Sequence, residues 1–155
     1  MNRIKRLSES PEANVIFFSF LLNFVWEMWQ VPFYKSLPTM DHMDAVRICT
    51  QASIGDALIS LLSFWAAAGV IQSRRWFLSL TPLSVLIYWA MGVAITIVLE
   101  WLATGPLDRW QYSAAMPRIP ALGTGLLPLL QWTLLPAVVL FLVKRQAPGT
   151  ERSSR

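Results

Sequence analysis

Residues 82–103 read PLSVLIYWAMGVAITIVLEWLA, a run of 22 residues with a single charged side chain, Glu100. At 1.5 Å per residue, a helix of this length reaches about 33 Å, close to the roughly 30 Å hydrocarbon thickness of a bilayer. Pro82 suits the first turn of such a helix, because the N–H that proline lacks would have no helical partner there. The stretch therefore predicts a transmembrane helix.

Three other runs, at residues 13–31, 52–71 and 124–143, have the same apolar character. The first follows a basic start, as in a signal peptide, but its apolar core is too long and ends in bulky residues without a small-x-small cleavage site. We therefore interpret it as a retained helix. The four runs predict an all-α fold, a single four-helix membrane bundle over residues 1–155, with a disordered polar tail at residues 146–155.

The composition agrees with a lipid environment and excludes several protein classes. The chain is 55% hydrophobic and 14% charged, with a mean hydropathy of +0.47, whereas soluble domains carry about 25% charged residues. The basic residues cluster at the ends and in one loop without interleaved aromatics, so a nucleic-acid partner is not expected. With one His and one Cys, neither a zinc nor a haem site is evident.

The distribution of Lys and Arg between the loops predicts the orientation of the bundle. One side carries nine basic residues: Arg3, Lys5, Arg6, Arg74, Arg75, Lys144, Arg145, Arg152 and Arg155. The other side carries four: Lys35, Arg47, Arg109 and Arg118. This asymmetry predicts that both termini are cytoplasmic, and we expect a multi-pass protein of the bacterial inner membrane.

Three carboxylates, Glu27, Asp56 and Glu100, lie inside the apolar runs. A charge in hydrocarbon costs several kcal/mol, so each acid is a candidate functional residue. In the predicted orientation all three lie near the extracytoplasmic surface, with Gln131 about two helical turns from the same surface. Asn23 precedes Glu27 by one turn on the same helical face. The sequence thus predicts a carboxylate-lined polar site near one leaflet.

The chemistry of these acids has several open interpretations. Together with Asn23 and Gln131 they could supply oxygen ligands to a hard cation, Mg²⁺ or Ca²⁺. Alternatively, closely spaced carboxylates could act as general acid, general base or proton carrier. A structural alternative is that they pair with nearby Lys or Arg, or that water reaches them at the headgroup level. Small residues on the same faces are equally explained by close helix packing.

The loop at residues 104–123 contains a second group of candidate residues. Arg109 and Arg118 suit capture of a phosphate or carboxylate, and Trp110 and Tyr112 follow the first of them. The loop is either a lid over an anionic or lipid-linked head group or an interfacial anchor. Five tryptophans near this surface are either an aromatic belt or the wall of a pocket for an apolar chain: Trp26, Trp29, Trp101, Trp110 and Trp132.

Two classes of function follow. The first is a small membrane enzyme acting on a lipid-soluble or lipid-linked substrate, with Glu27, Asp56 and Glu100 as catalytic residues. Its expected substrate-binding residues are Asn23, Arg109, Trp110, Tyr112, Arg118 and Gln131. The second class is non-enzymatic: an ion- or proton-coupled carrier, as a homo-oligomer, or an accessory subunit of a membrane complex. Membrane lipids are the expected surroundings in both cases, and the sequence does not identify a cofactor.

Overall fold

Four α-helices form most of the structure, a computed structural model that describes residues 10–147. They are α1 (Pro11–Gln30), α2 (His42–Ile71), α3 (Pro82–Thr104) and α4 (Leu126–Gln146). Each is long and apolar enough to cross a membrane, which confirms the prediction of four such helices. Most of the predicted disordered tail, residues 148–155, and the basic start, residues 1–9, lie outside the described residues.

Local sequence explains where the helices begin. Ser10 caps α1 by accepting a hydrogen bond from the Ala13 N–H, and Thr81 forms a reciprocal capping box with Ser84 at the start of α3. Asp41 caps α2 by accepting from the Met43 N–H at 2.9 Å. Helix α2 therefore begins at His42 rather than near residue 52. Hydropathy registers only the apolar part of a helix, so the polar first turns of α2 escaped the sequence analysis.

The helices form a ring of four. Each packs against its neighbours in the chain, and α4 closes the ring by packing against α1. Two connections, residues 31–41 and 105–125, lie at one end of the bundle, which we call the long-loop end. The connection at residues 72–81 lies at the other, short-loop end. Glu27, Glu100 and Gln131 all lie toward the ends of helices that meet the long loops.

The interior of the bundle holds small polar side chains as well as an apolar cluster near the short-loop end, and its outer surface exposes many large apolar residues. Ser19, Ser53 and Ser63 are fully buried between helices, whereas large apolar residues such as Phe17 and Val25 are exposed. Small polar residues between helices are typical of bundles that pack in lipid, where close approach and hydrogen bonds replace hydrophobic burial. A soluble bundle differs at its outer surface, which is mainly polar and charged.

The two long loops fold together over the bundle. Tyr34 and Tyr112 form an isolated antiparallel bridge, and the Lys35 and Ser113 N–H groups donate to the carbonyls of Gln111 and Phe33, each at 2.9 Å. An apolar cluster underlies this pairing: Tyr34, Leu37, Tyr112, Met116 and Leu127. The residue 105–125 loop is thus anchored to the bundle, and its anchoring sets the position of Tyr112.

Candidate functional site

Gln131 of α4 connects two of the three acids. Its side-chain Nε2 lies 2.7 Å from Asn23 Oδ1, 3.1 Å from Asp56 Oδ2 and 3.3 Å from Glu27 Oε1. The amide nitrogen faces these oxygens because carboxylates can only accept from it. An amide carries two hydrogens, so the three acceptors share two donors. The structure therefore brings Asn23, Glu27, Asp56 and Gln131, from three helices, into one cluster, which we call the carboxylate cluster.

Two more donors complete the carboxylate cluster. Trp132 Nε1 donates to Asp56 Oδ1 at 3.2 Å, and Gln30 Nε2 donates to Glu27 Oε1 at 2.8 Å. Trp132 is only 3% exposed, and its ring lies directly over Gly92 of α3, where a Cβ would overlap the ring. The glycine thus makes room for the indole, which in turn orients Asp56.

Glu100 is held separately. The Tyr112 hydroxyl donates to Glu100 Oε2, and the Tyr112 ring lies 5.7 Å from the ring of Tyr34. Glu100 is 8% exposed and Tyr112 is 6% exposed. Burial, reinforced by the nearby Glu100 carboxylate, raises the pKa of both phenols. Both tyrosines are therefore protonated at neutral pH, and Tyr112 is a donor to Glu100.

A chain of hydrogen bonds extends from the carboxylate cluster toward the middle of the bundle. Asn23 Nδ2 donates to the carbonyl and the hydroxyl of Ser19 at 2.8 and 3.0 Å, and the Ser19 and Ser60 hydroxyls lie 2.7 Å apart. All three residues are buried. The cluster thus has a polar continuation along α1 and α2.

No cation neutralises the three acids within residues 10–147. The ion pairs there are Arg47 with Asp44, at 2.9 Å, and Arg74 with Glu12. The structural alternative in which the acids pair with Lys35, Arg109 or Arg118 is therefore not what the structure adopts. Glu100 is buried and Glu27 and Asp56 are half-buried. Carboxylates removed from water without a partner charge are costly, so the neutral donors around them are their main stabilisation in the described residues.

The carboxylate cluster offers two acidic side chains, Glu27 and Asp56, to a metal ion. Across residues 10–147, no group of three His, Cys, Asp or Glu side chains is arranged to hold a metal ion. In addition, both Asp56 oxygens already accept from N–H donors of Gln131 and Trp132. Each oxygen keeps a second lone pair, so a hard cation would share Asp56 with these donors. Within the described residues, Asp56 is therefore surrounded by N–H donors.

The loop residues divide into two groups. Tyr112 and Arg118 lie together, with the Arg118 guanidinium 5.3 Å from the centre of the Tyr112 ring. Trp110 packs against the apolar cluster beneath the loops, and Arg109 is exposed. Tyr112 and Arg118 line an open pocket of about 720 Å³, whereas Arg109 and Trp110 do not.

Sequence reasoning missed three contributors. It placed Trp132 in either an aromatic belt or the wall of an apolar pocket, not beside the acids, and it did not include Gln30 or Tyr34 in the site. The signal for Trp132 is its position next to Gln131, opposite the glycine of α3. Tyr34 gave no such signal, because its proximity to Tyr112 depends on the path of two loops.

Comparison with protein families, with curated proteins and with solved structures finds no match to this chain. Any function must therefore be argued from the geometry of the site.

Proposed function

We propose that this chain is a multi-pass protein of the bacterial inner membrane that catalyses proton transfer on a lipid-soluble or lipid-linked substrate at the extracytoplasmic leaflet. The observation that carries the proposal is the sharing of the Gln131 amide between Glu27 and Asp56, without a neutralising cation in residues 10–147. Carboxyl groups arranged this way can donate one proton and accept another.

Each residue then has a role. Asp56, oriented by Trp132 and Gln131, exchanges a proton with the substrate, and Glu27 is its partner of opposite protonation state. Glu100, with Tyr112 as its donor, provides a second proton-transfer group. A reaction in which one proton is added and another removed needs no further reactant to balance. Isomerisation is of this kind; proton-assisted cleavage would in addition consume one water, whose hydroxyl and proton go to the two products.

The orientation is part of the proposal. We place the long-loop end on the extracytoplasmic side, with both termini in the cytoplasm, because basic residues concentrate on the other side. A reporter enzyme that is active only in the cytoplasm, fused after Arg155, is expected to be active. A reporter inserted after Gly123, an exposed loop glycine, is expected to be inactive. The reverse result would place the acids at the cytoplasmic leaflet.

Asp56→Asn tests the catalytic role, with Asp44→Asn as its matched control. Asp44 is on the same helix but is exposed, and it pairs with Arg47 outside the carboxylate cluster. Proteoliposomes containing each protein are incubated with a total membrane lipid extract, and the lipid species are compared by mass spectrometry. We expect wild type and Asp44→Asn to convert at least one species that Asp56→Asn leaves unchanged. Identical lipid profiles with wild type and with empty liposomes would contradict the enzyme proposal.

A proton carrier is the second candidate, favoured by the hydrogen-bonded chain from Asn23 through Ser19 to Ser60. Such a chain could extend a proton path toward the short-loop end. A pH-sensitive dye inside proteoliposomes measures this directly. If the wild type conducts protons, Ser60→Ala is expected to lower the flux. Ser36→Ala, in an exposed loop, is expected to leave it unchanged. This pair of results would support the carrier. Lipid conversion without flux would support the enzyme.

A further inference from the structure

The open pocket at the long-loop end is lined by polar and basic side chains. Lys35 comes from one long loop, and Gln111, Tyr112, Ser113 and Arg118 come from the other. Its volume of about 720 Å³ lies in the range of small-molecule sites. None of the lining residues is acidic. Two positive charges therefore face one space.

Neither cation of the pocket is neutralised within the described residues. Lys35 Nζ donates to the neutral Gln111 amide oxygen at 3.3 Å, and Arg118 Nη2 donates to the Tyr112 carbonyl at 3.4 Å. Neither forms a salt bridge in residues 10–147. Asp108, the nearest acid in the loop sequence, instead accepts from the Gln111 amide nitrogen at 3.1 Å.

Tyr112 is shared by the pocket and the acids below it. The residue lines the pocket, and its hydroxyl donates to Glu100. A molecule held in the pocket by an anionic head group would therefore be separated from Glu100 by the Tyr112 side chain alone. The pocket and the acids form two layers of opposite charge, joined by one side chain.

We propose that this pocket binds the phosphate group of an amphiphile, which names the substrate class of the proposed function and rests on it. A phosphate has several acceptor oxygens and two negative charges, which match an Arg fork, a Lys ammonium and the Ser113 hydroxyl. The apolar part of the amphiphile remains in the lipid around the bundle, where the helix surfaces are apolar. The sequence analysis did not predict Lys35 or Gln111 as substrate-binding residues.

The test measures binding of three probes to the purified full-length protein in a neutral detergent, by intrinsic tryptophan fluorescence. The probes are dihexanoyl phosphatidic acid, dihexanoyl phosphatidylcholine and inorganic phosphate. We expect phosphatidic acid to bind at least about tenfold more tightly than either of the others. Equal affinity for phosphatidylcholine would overturn the requirement for an exposed phosphate, and equal affinity for inorganic phosphate would overturn the requirement for an amphiphile.

Substitutions of the two pocket cations test whether phosphatidic acid binds in the pocket. Lys35→Gln and Arg118→Gln are each expected to weaken phosphatidic acid binding by about tenfold or more. Arg109→Gln is the matched control, because Arg109 is an exposed arginine of the same loop that does not line the pocket. It is expected to change the affinity less than twofold. Equal losses in Arg109→Gln and Arg118→Gln would mean diffuse surface attraction and would overturn the proposal.

Lys35 and Arg118 are exposed, so their variants are expected to fold. Arg118→Lys keeps the positive charge but loses the paired donors of the guanidinium, so it should retain part of the affinity. The binding test is independent of catalysis. Asp56→Asn is expected to bind phosphatidic acid as wild type does. If wild type binds the phosphatidic acid but converts no lipid, the proposed function fails while the phosphate pocket stands.

Discussion

Replacing Gln131 by Leu tests whether the carboxylate cluster holds the helices together. Leu removes the amide but keeps a side chain of similar length. The lost amide had two hydrogens for three acceptors, Asn23, Glu27 and Asp56, so two hydrogen bonds are lost. Interhelical hydrogen bonds in membranes contribute about 0.6 kcal/mol on average and up to about 1.7 kcal/mol.

At least one of these two bonds goes to a carboxylate, which is the stronger kind. We therefore expect Gln131→Leu to lower the free energy of unfolding by about 2 kcal/mol. The loss is limited because Asp56 keeps Trp132 as a donor and Glu27 keeps Gln30. Unfolding in mixed micelles with increasing dodecyl sulfate, followed by tryptophan fluorescence, measures this free energy.

Thr133→Val is the control for this measurement. Thr133 is an exposed residue of α4 whose hydroxyl donates to the Leu129 carbonyl of its own helix, so its replacement is expected to change stability by less than about 0.5 kcal/mol. If Gln131→Leu costs no more than Thr133→Val, the bridging amide does not stabilise the bundle and the reasoning is refuted.

Three further predictions follow from single contacts. Gly92→Ala is expected to cost about 1–3 kcal/mol because the new Cβ would overlap the Trp132 ring, whereas Gly69→Ala, with open space around it, is expected to be neutral or to stabilise by up to about 1 kcal/mol; both are measured by the same unfolding assay. Tyr112→Phe removes the donor to Glu100 and is expected to lower the free energy of unfolding by about 1–2 kcal/mol. The raised pKa values of Tyr34 and Tyr112 mean that both phenols stabilise the fold below the unfolded-state value of 10.0 and that this stability is lost as the pH rises above it. Thermal unfolding between pH 8 and pH 11 is expected to show this fall, with a shallower slope in the variant that carries Phe at both positions.

Hydropathy predicts the four helices because burial in lipid requires long apolar runs, and each run leaves a direct record in the sequence. Helical periodicity likewise places Ser19, Asn23 and Glu27 on one face, since residues four apart align. Both patterns lie within a single helix, so they can be recognised from the sequence of that helix alone. The start of α2 was not accessible in this way, because its first turns, from His42, are polar.

The partners across helices could not be predicted. Whether Asp56 meets Gln131, Trp132 or an arginine depends on the rotation of two helices about their axes, which hydropathy does not determine. The partner of Glu100 is harder still to predict. Tyr112 lies on a loop whose path is set by backbone pairing with the other long loop. Lys35 joins Arg118 in the pocket for the same reason.

At the long-loop end, the positive charges of the loops are separate from the acids of the bundle, as the proposed function requires. Had Arg118 or Lys35 reached the acids, ion pairs would have formed and the acids would be structural staples. Instead the Arg118 guanidinium lies over the Tyr112 ring, while the Tyr112 hydroxyl faces Glu100. The tyrosine thus keeps the cations in the loops and the acids in the bundle. A ligand with an anionic head would satisfy the cations without neutralising the acids, which leaves the carboxyl groups free to exchange protons with the part of the ligand that follows.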